Sequence, residues 1–249
     1  MWREPANRIL VIARHQLVLL RRAPGPLIAY TVMPIVLTTL LEPVRAQLAD
    51  AGTPGIVAAA PGMLVMFSLF MTGVIGDSLL VERAWNTWDR LRTTPTRPLE
   101  LLVGKALPLL AALLAQQAVV LGYAAVAYRL DLAAAGPRTA AVGGAWALCV
   151  VGCGTALATA VRSHAQLSAV KDIATLALAG LGGALIPVAL LPSWAGPLAP
   201  LSPGFWAMRG YTDALTGRTE AAGLSIGILL AVGATGLAAA ALRIRRTTS

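Results

Sequence analysis

The sequence predicts an all-α integral membrane protein of six transmembrane helices. An interfacial amphipathic helix precedes the first, a cytoplasmic helix follows the second, and an outer Pro/Trp-rich re-entrant segment precedes the last. Three observations predict this. Of 249 residues, 57% are hydrophobic and only 12% charged, about half the roughly 25% charged share of a soluble domain. Mean hydropathy is +0.73. Charge-free runs long enough to cross a bilayer recur along the chain. That leaves too little polar surface for a water-soluble globule, and excludes a disordered chain or a coiled coil. The 24 Gly and 16 Pro agree, since membrane helices tolerate both better than soluble ones.

Residues 1–22 form the amphipathic start. Ile9, Leu10, Ala13, Leu17 and Leu20 fall on one helical face, and Arg3, Asn7, Arg14 and Arg21 on the other. Such a basic helix is expected in the inner interface. Pro24-Gly25-Pro26 breaks it and turns the chain into the first span. The apolar run that follows is longer than a signal-peptide core and contains Pro34, so the first span is expected to stay. Charge-free runs occupy 23–41, 51–76, 106–128, 139–161, 173–208 and 221–242. A span needs about 20 apolar residues. Spans are therefore expected near 23–41, 53–77, 99–128, 139–161, 168–191 and 221–242, all within one transmembrane domain, 1–249. The fifth run exceeds one crossing, and Pro187, Pro192, Pro197, Pro200 and Pro203 interrupt its second half. Residues 192–216 are read as an outer segment that re-enters or caps the membrane.

The net charge of +9 comes from 20 Lys+Arg against 11 Asp+Glu. With six spans and an inside start, the inner segments hold 15 basic residues and the outer loops 5. This bias places both termini in the cytoplasm. It accounts for the whole net charge, so no nucleic-acid partner is expected.

The segment after the second span reads ERAWNTWDRLRTTPTRPLELLVGK from Glu82 to Lys105. Ala84, Trp85, Trp88 and Leu91 share one helical face, with Arg83, Asn86, Thr87 and Arg90 on the polar side. Thr93-Thr94-Pro95 ends the pattern and Pro98 starts the next helix. Two readings fit equally: a cytoplasmic helix with an apolar floor and a charged edge, or a solvated loop with interfacial Trp anchors.

This stretch resembles the permease subunits of the ABC-2 family, the type that includes bacterial drug and polysaccharide exporters. Glu82, Arg83, Thr87, Leu91, Arg92, Thr94, Pro95, Glu100, Gly104 and Lys105 fit the family's pattern. Asn86 stands where Gly is usual, and Asp89 replaces a longer acid. The resemblance extends over the whole chain, through the amphipathic start, the six spans and the outer stretch LPSWAGPLAPLSPGFW. It implies one half of an ATP-driven exporter in a bacterial cell membrane, drug-exporter-like and associated with multidrug or antibiotic resistance. A separate ATPase subunit would bind the ATP and Mg. Residues 82–95 would be the coupling helix. Glu82, Arg83, Trp85, Thr87, Trp88, Asp89, Arg90, Leu91 and Arg92, with Arg14 and Arg21 of the amphipathic start, would meet that partner. A second permease chain, identical or not, would pack along spans one and five.

No ATPase site is expected in the chain itself. Gly104-Lys105 is followed by Ala106, and Leu99 stands where a P-loop needs its first glycine. Asp77 and the neighbours Lys171-Asp172 are read as inner-interface groups. The middles of the expected spans then carry no charge, which argues against an ion-coupled carrier and for a hydrophobic or amphipathic cargo. The alternatives are a secondary transporter or a membrane-anchored scaffold, with a membrane enzyme third. Gln116 and Gln117 are the deepest polar residues of span three. They serve either helix–helix hydrogen bonds, the default, or the transport path. Gly152 and Gly154, and Gly180, Gly182 and Gly183, permit close helix approach. Cys149 and Cys153 are read as packing residues, with no metal expected. His15 and His164 show no acidic partner in any recognisable motif, so neither is assigned to catalysis.

Overall fold

The computed structural model describes residues 5–48, 55–84, 98–132 and 135–248. The α-helices are α1 (Pro5–Arg22), α2 (Gly25–Leu48), α3 (Ile56–Ala84), α4 (Pro98–Tyr128), α5 (Gly136–Ala160), α6 (His164–Leu181), α7 (Pro203–Leu215) and α8 (Thr219–Thr248). Short 3-10 turns at Val188–Leu190 and Gly196–Leu201 join α6 to α7. No strand occurs among the described residues.

The long helix α3 is the axis of the bundle and touches α2, α4, α5, α6 and α7. In its most apolar stretch 89% of residues are buried, against 11% in α2. Met63, Leu64 and Met71 of α3 meet Leu113 of α4 and Trp146 of α5 in the central core. Leu79, Leu102, Ala158 and Ala241 form a small cluster at one end, here the near end. Ile56, Ala60, Ala124 and Leu130 form another at the opposite, far end. The N-terminal helix α1 and the last apolar turns of α8 both lie at the near end.

The most intimate contact is between α5 and α8. A Cβ on Gly152 would sit 2.3 Å from the Gly233 carbonyl oxygen, and one on Gly236 2.6 Å from the Gly152 carbonyl oxygen. Backbone touches backbone, and small residues alone allow it. Of the other glycines expected to permit approach, Gly154 faces Ile75, whereas Gly180 has open space around it.

Among the described residues, five helices are long and apolar enough to cross a membrane: Gly25–Val44, Ile56–Leu80, Glu100–Tyr128, Gly136–Ala160 and Thr219–Arg243. The expected fifth span, 168–191, is represented by α6, which starts earlier and stops ten residues sooner. Its start is set by Ser163, whose hydroxyl accepts from the Gln166 amide at 3.2 Å, while Gln166 Oε1 accepts from the Arg162 amide at 3.0 Å. This is close to a capping box. Its end is set by Gly183 in the left-handed region at φ 78°. The Ala184 amide donates to the Ala179 carbonyl and the Gly183 amide to the Gly180 carbonyl, the two bonds of a Schellman motif. A glycine stops the helix before the first of the prolines that had been expected to do so.

This shift moves Lys171-Asp172 from the first turn to the midpoint of an 18-residue helix. The expected place of the pair at the start of the helix is corrected accordingly. The pair exists, at 2.9 Å, but the Lys171 side chain is only 12% exposed. Its ammonium lies 5.6 Å from the Phe70 ring centroid, and its Cδ fills the place of a side chain on Gly73. A charged midpoint is also why α6 stands outside the five apolar helices.

The 192–216 segment packs into the bundle through α7. Ser202 caps α7 by accepting from the Gly204 amide and donates its own hydroxyl to the Leu178 carbonyl of α6 at 2.7 Å. Trp206 Nε1 donates to the Pro200 carbonyl at 2.8 Å. Tyr211 of α7 is fully buried.

Candidate functional site

The residues expected to meet an energising partner leave α3 at the near end and return at α4. The backbone of Glu82 and Arg83 belongs to the last turn of α3. Trp85, Thr87, Trp88, Asp89, Arg90, Leu91 and Arg92 lie outside the described residues. What the structure describes is the frame that holds this segment at both ends.

That frame is built from charged links between helices. Arg8 of α1 donates to Glu100 of α4 at 2.8 Å, with both side chains largely buried. One turn on, Ile12 of α1 rests on Gly104, where a Cβ would meet it at 2.7 Å. Lys105 of α4 donates to the Ser78 carbonyl of α3. Asp77 of α3 meets His164 Nδ1 of α6 at 2.7 Å. Leu167 and Lys171 continue that seam against Gly76 and Gly73. Four helices are thus tied together around residues 84 and 98.

Sequence reasoning saw parts of this and missed others. His164 does have an acidic partner, in correction of the expectation that it stood alone. Asp77 lies 87 positions away in sequence, so no local motif could reveal the pair. The face of α1 that packs is Ile9, Ile12, Gln16 and Leu20, together with Arg8. Leu10 and Leu17, expected on that same face, are exposed. Arg14 and Arg21 are exposed beside them.

In mid-bundle, Gln116 and Gln117 are both buried. Gln116 Nε2 donates to the Tyr30 carbonyl of α2 at 2.6 Å, and its Oε1 accepts from Ser68 of α3 at 3.2 Å. Gln117 Oε1 accepts from the Tyr211 hydroxyl at 2.8 Å. Burial pushes the Tyr211 phenol pKa up, which keeps it a donor. The two glutamines therefore join helices, the default of the two roles considered for them. Gln117 also borders a cavity of about 430 Å³ with Leu121, Gly122 and Thr139. A smaller cavity of about 170 Å³ is lined by Trp146, Cys149, Cys153, Thr72 and Lys171. The two thiols are free.

Five crossing-length helices among the described residues, the buried α3 being one of them, are the architecture of a multi-pass membrane protein. The family model for the ABC-2 type transporter matches residues 7–216, and the chain belongs to that family. Its members are membrane permeases of ABC transporters that work with ABC ATPase partners and carry no ATPase site of their own. No curated protein matches the chain.

Proposed function

We propose that the chain is one permease half of an exporter that moves a hydrophobic or amphipathic molecule, drug-like or lipid-like, out of a bacterial cytoplasm. A separate ATPase subunit, holding ATP and Mg, docks on residues 82–95 with help from Arg14 and Arg21. Both chain ends then face the cytoplasm. A second permease chain completes the path, packing on the apolar faces left open by α2 and α6, where Ile28, Val36, Leu40, Ile173 and Leu176 are exposed.

The observation that carries this reading is the tied frame at the near end. A push on the segment between residues 84 and 98 reaches α1 through Arg8–Glu100 and α6 through Asp77–His164. Rigid helices linked this way can convert a partner's closure into a shift of the bundle. A charge at the midpoint of α6 removes one sequence argument against an ion-coupled carrier. Family membership now bears that weight instead.

The test is co-purification in mild detergent, followed by an ATPase assay and transport in reconstituted vesicles. Wild type should bring down a P-loop subunit with ATPase activity. Glu82→Lys should leave the spans folded but abolish transport driven by ATP hydrolysis. A chain that purifies alone, or a Glu82→Lys variant that transports normally, overturns the proposal.

A further inference from the structure

At the far end, a cavity of about 540 Å³ opens between the start of α3, the turn after α6, α7 and the start of α8. Its charged lining is Arg209, Asp213 and Arg218. The Asp213 side chain is only 6% exposed, while the two guanidinium groups are about half exposed or more. Arg218 Nε lies 3.0 Å from Asp213 Oδ1, and Arg209 Nε lies 3.6 Å from Oδ2. Oδ2 has no hydrogen-bond partner among the described residues. Arg218 is fixed further by its amide donating to the Asp213 carbonyl at 2.8 Å and its Nε to Thr216 at 3.2 Å. Arg209 lies 5.8 Å from the Trp206 ring centroid.

Each arginine meets Asp213 through its Nε, and both side chains stay about half exposed or more. Two cations share one anion, so the lining carries one excess positive charge. Planar guanidinium forks at a partly exposed rim suit the oxygens of a phosphate. Apart from Thr212, the rest of the wall carries no polar side chain, and Pro187, Val188, Phe205 and Met208 are its large apolar members. Leu185, Ile186 and Leu190, on the same connecting stretch, are exposed.

From this we infer that the far-end cavity binds an anionic phosphate carried on an apolar chain, its head on Arg209 and Arg218 and its tail along the Pro187–Met208 wall. A phosphodiester monoanion would neutralise the excess charge. Buried Asp213 acts as a positioning residue that holds both guanidinium groups at the rim. The inference goes beyond the permease reading and needs neither the ATPase nor a second chain.

The test uses the full chain in nanodiscs of phosphatidylcholine with a rising share of phosphatidylglycerol. Lipid retained on the chain is counted by native mass spectrometry. Wild type should retain phosphatidylglycerol over phosphatidylcholine by roughly tenfold or more, the scale of one or two charge-assisted hydrogen bonds. R209Q/D213N/R218Q removes both guanidinium groups together with the buried carboxylate they neutralise, so no unpaired buried charge is left and folding should survive while the preference disappears. Ala221→Phe keeps both arginines but narrows the cavity, and should weaken retention as well. Inorganic phosphate at millimolar concentration should displace the lipid poorly, because it lacks the tail. Retention that survives R209Q/D213N/R218Q overturns the site. Retention indifferent to Ala221→Phe, or displacement by free phosphate as effective as by lipid, overturns the part assigned to the apolar chain.

Discussion

The α5–α8 contact makes a prediction that its own helix can control. Gly144 and Gly152 both lie within α5. A Cβ at Gly144 would meet nothing within 4 Å, whereas one at Gly152 would lie 2.3 Å from the Gly233 oxygen. Ordinary contact begins near 3.4 Å, so Gly152→Ala must push the two backbones apart by about 1 Å. Neither backbone can rotate out of the way as a side chain can. Forced overpacking of this kind costs about 1–3 kcal/mol. Alanine in place of glycine inside a helix returns up to about 1 kcal/mol. That gain is common to both positions, so the difference between the variants isolates the clash. Gly144→Ala should be neutral to slightly stabilising, and Gly152→Ala should be less stable than it by about 1–3 kcal/mol. Equilibrium unfolding in mixed micelles measures both, with Trp146 of α5, fully buried, as the fluorescent reporter. Equal stability of the two variants would refute the backbone-to-backbone contact.

Other perturbations test the remaining links. Glu100→Gln leaves Arg8 without its carboxylate in a nearly buried setting and should cost on the order of 3 kcal/mol, read as protease access to α1 before global unfolding. Asp77→Asn alters a pair whose side chains are 55% and 49% exposed, so it should cost less than about 1 kcal/mol by the same unfolding assay. Tyr211→Phe removes the donor to Gln117 Oε1 and leaves a buried amide unsatisfied, at about 1–3 kcal/mol. Gln117→Leu in the Tyr211→Phe background should then cost less than it does alone, a coupling that a double-mutant cycle reads directly.

Much of the architecture was legible because hydropathy and charge are local properties. The apolar runs located five crossing-length helices with errors of a few residues. The amphipathic start was readable from its arginines, and the family from the pattern at residues 82–105 together with the order of the apolar runs around it. The fifth span was misread at both ends. Prolines were given the role of terminator, yet Gly183 with φ 78° ends α6 first. At its start, the Ser163–Gln166 cap is in the sequence as S-x-x-Q and was the available signal. Asp213 offered no such signal. As one acid among several in the outer segments, it becomes notable only when Arg209 and Arg218 are brought against it.

By itself, then, the sequence determined the class of protein, the approximate crossings and the family. Composition sets where a segment prefers to lie, and that preference does not depend on its neighbours. Which faces meet was decided only by the tertiary structure. It joined Asp77 to His164, laid Lys171 over Gly73, set Gly152 against Gly233 and enclosed Asp213 beneath two arginines. Each of these depends on the rotation and depth of two helices at once. A hydropathy pattern leaves that choice open, and close packing of the whole bundle makes it.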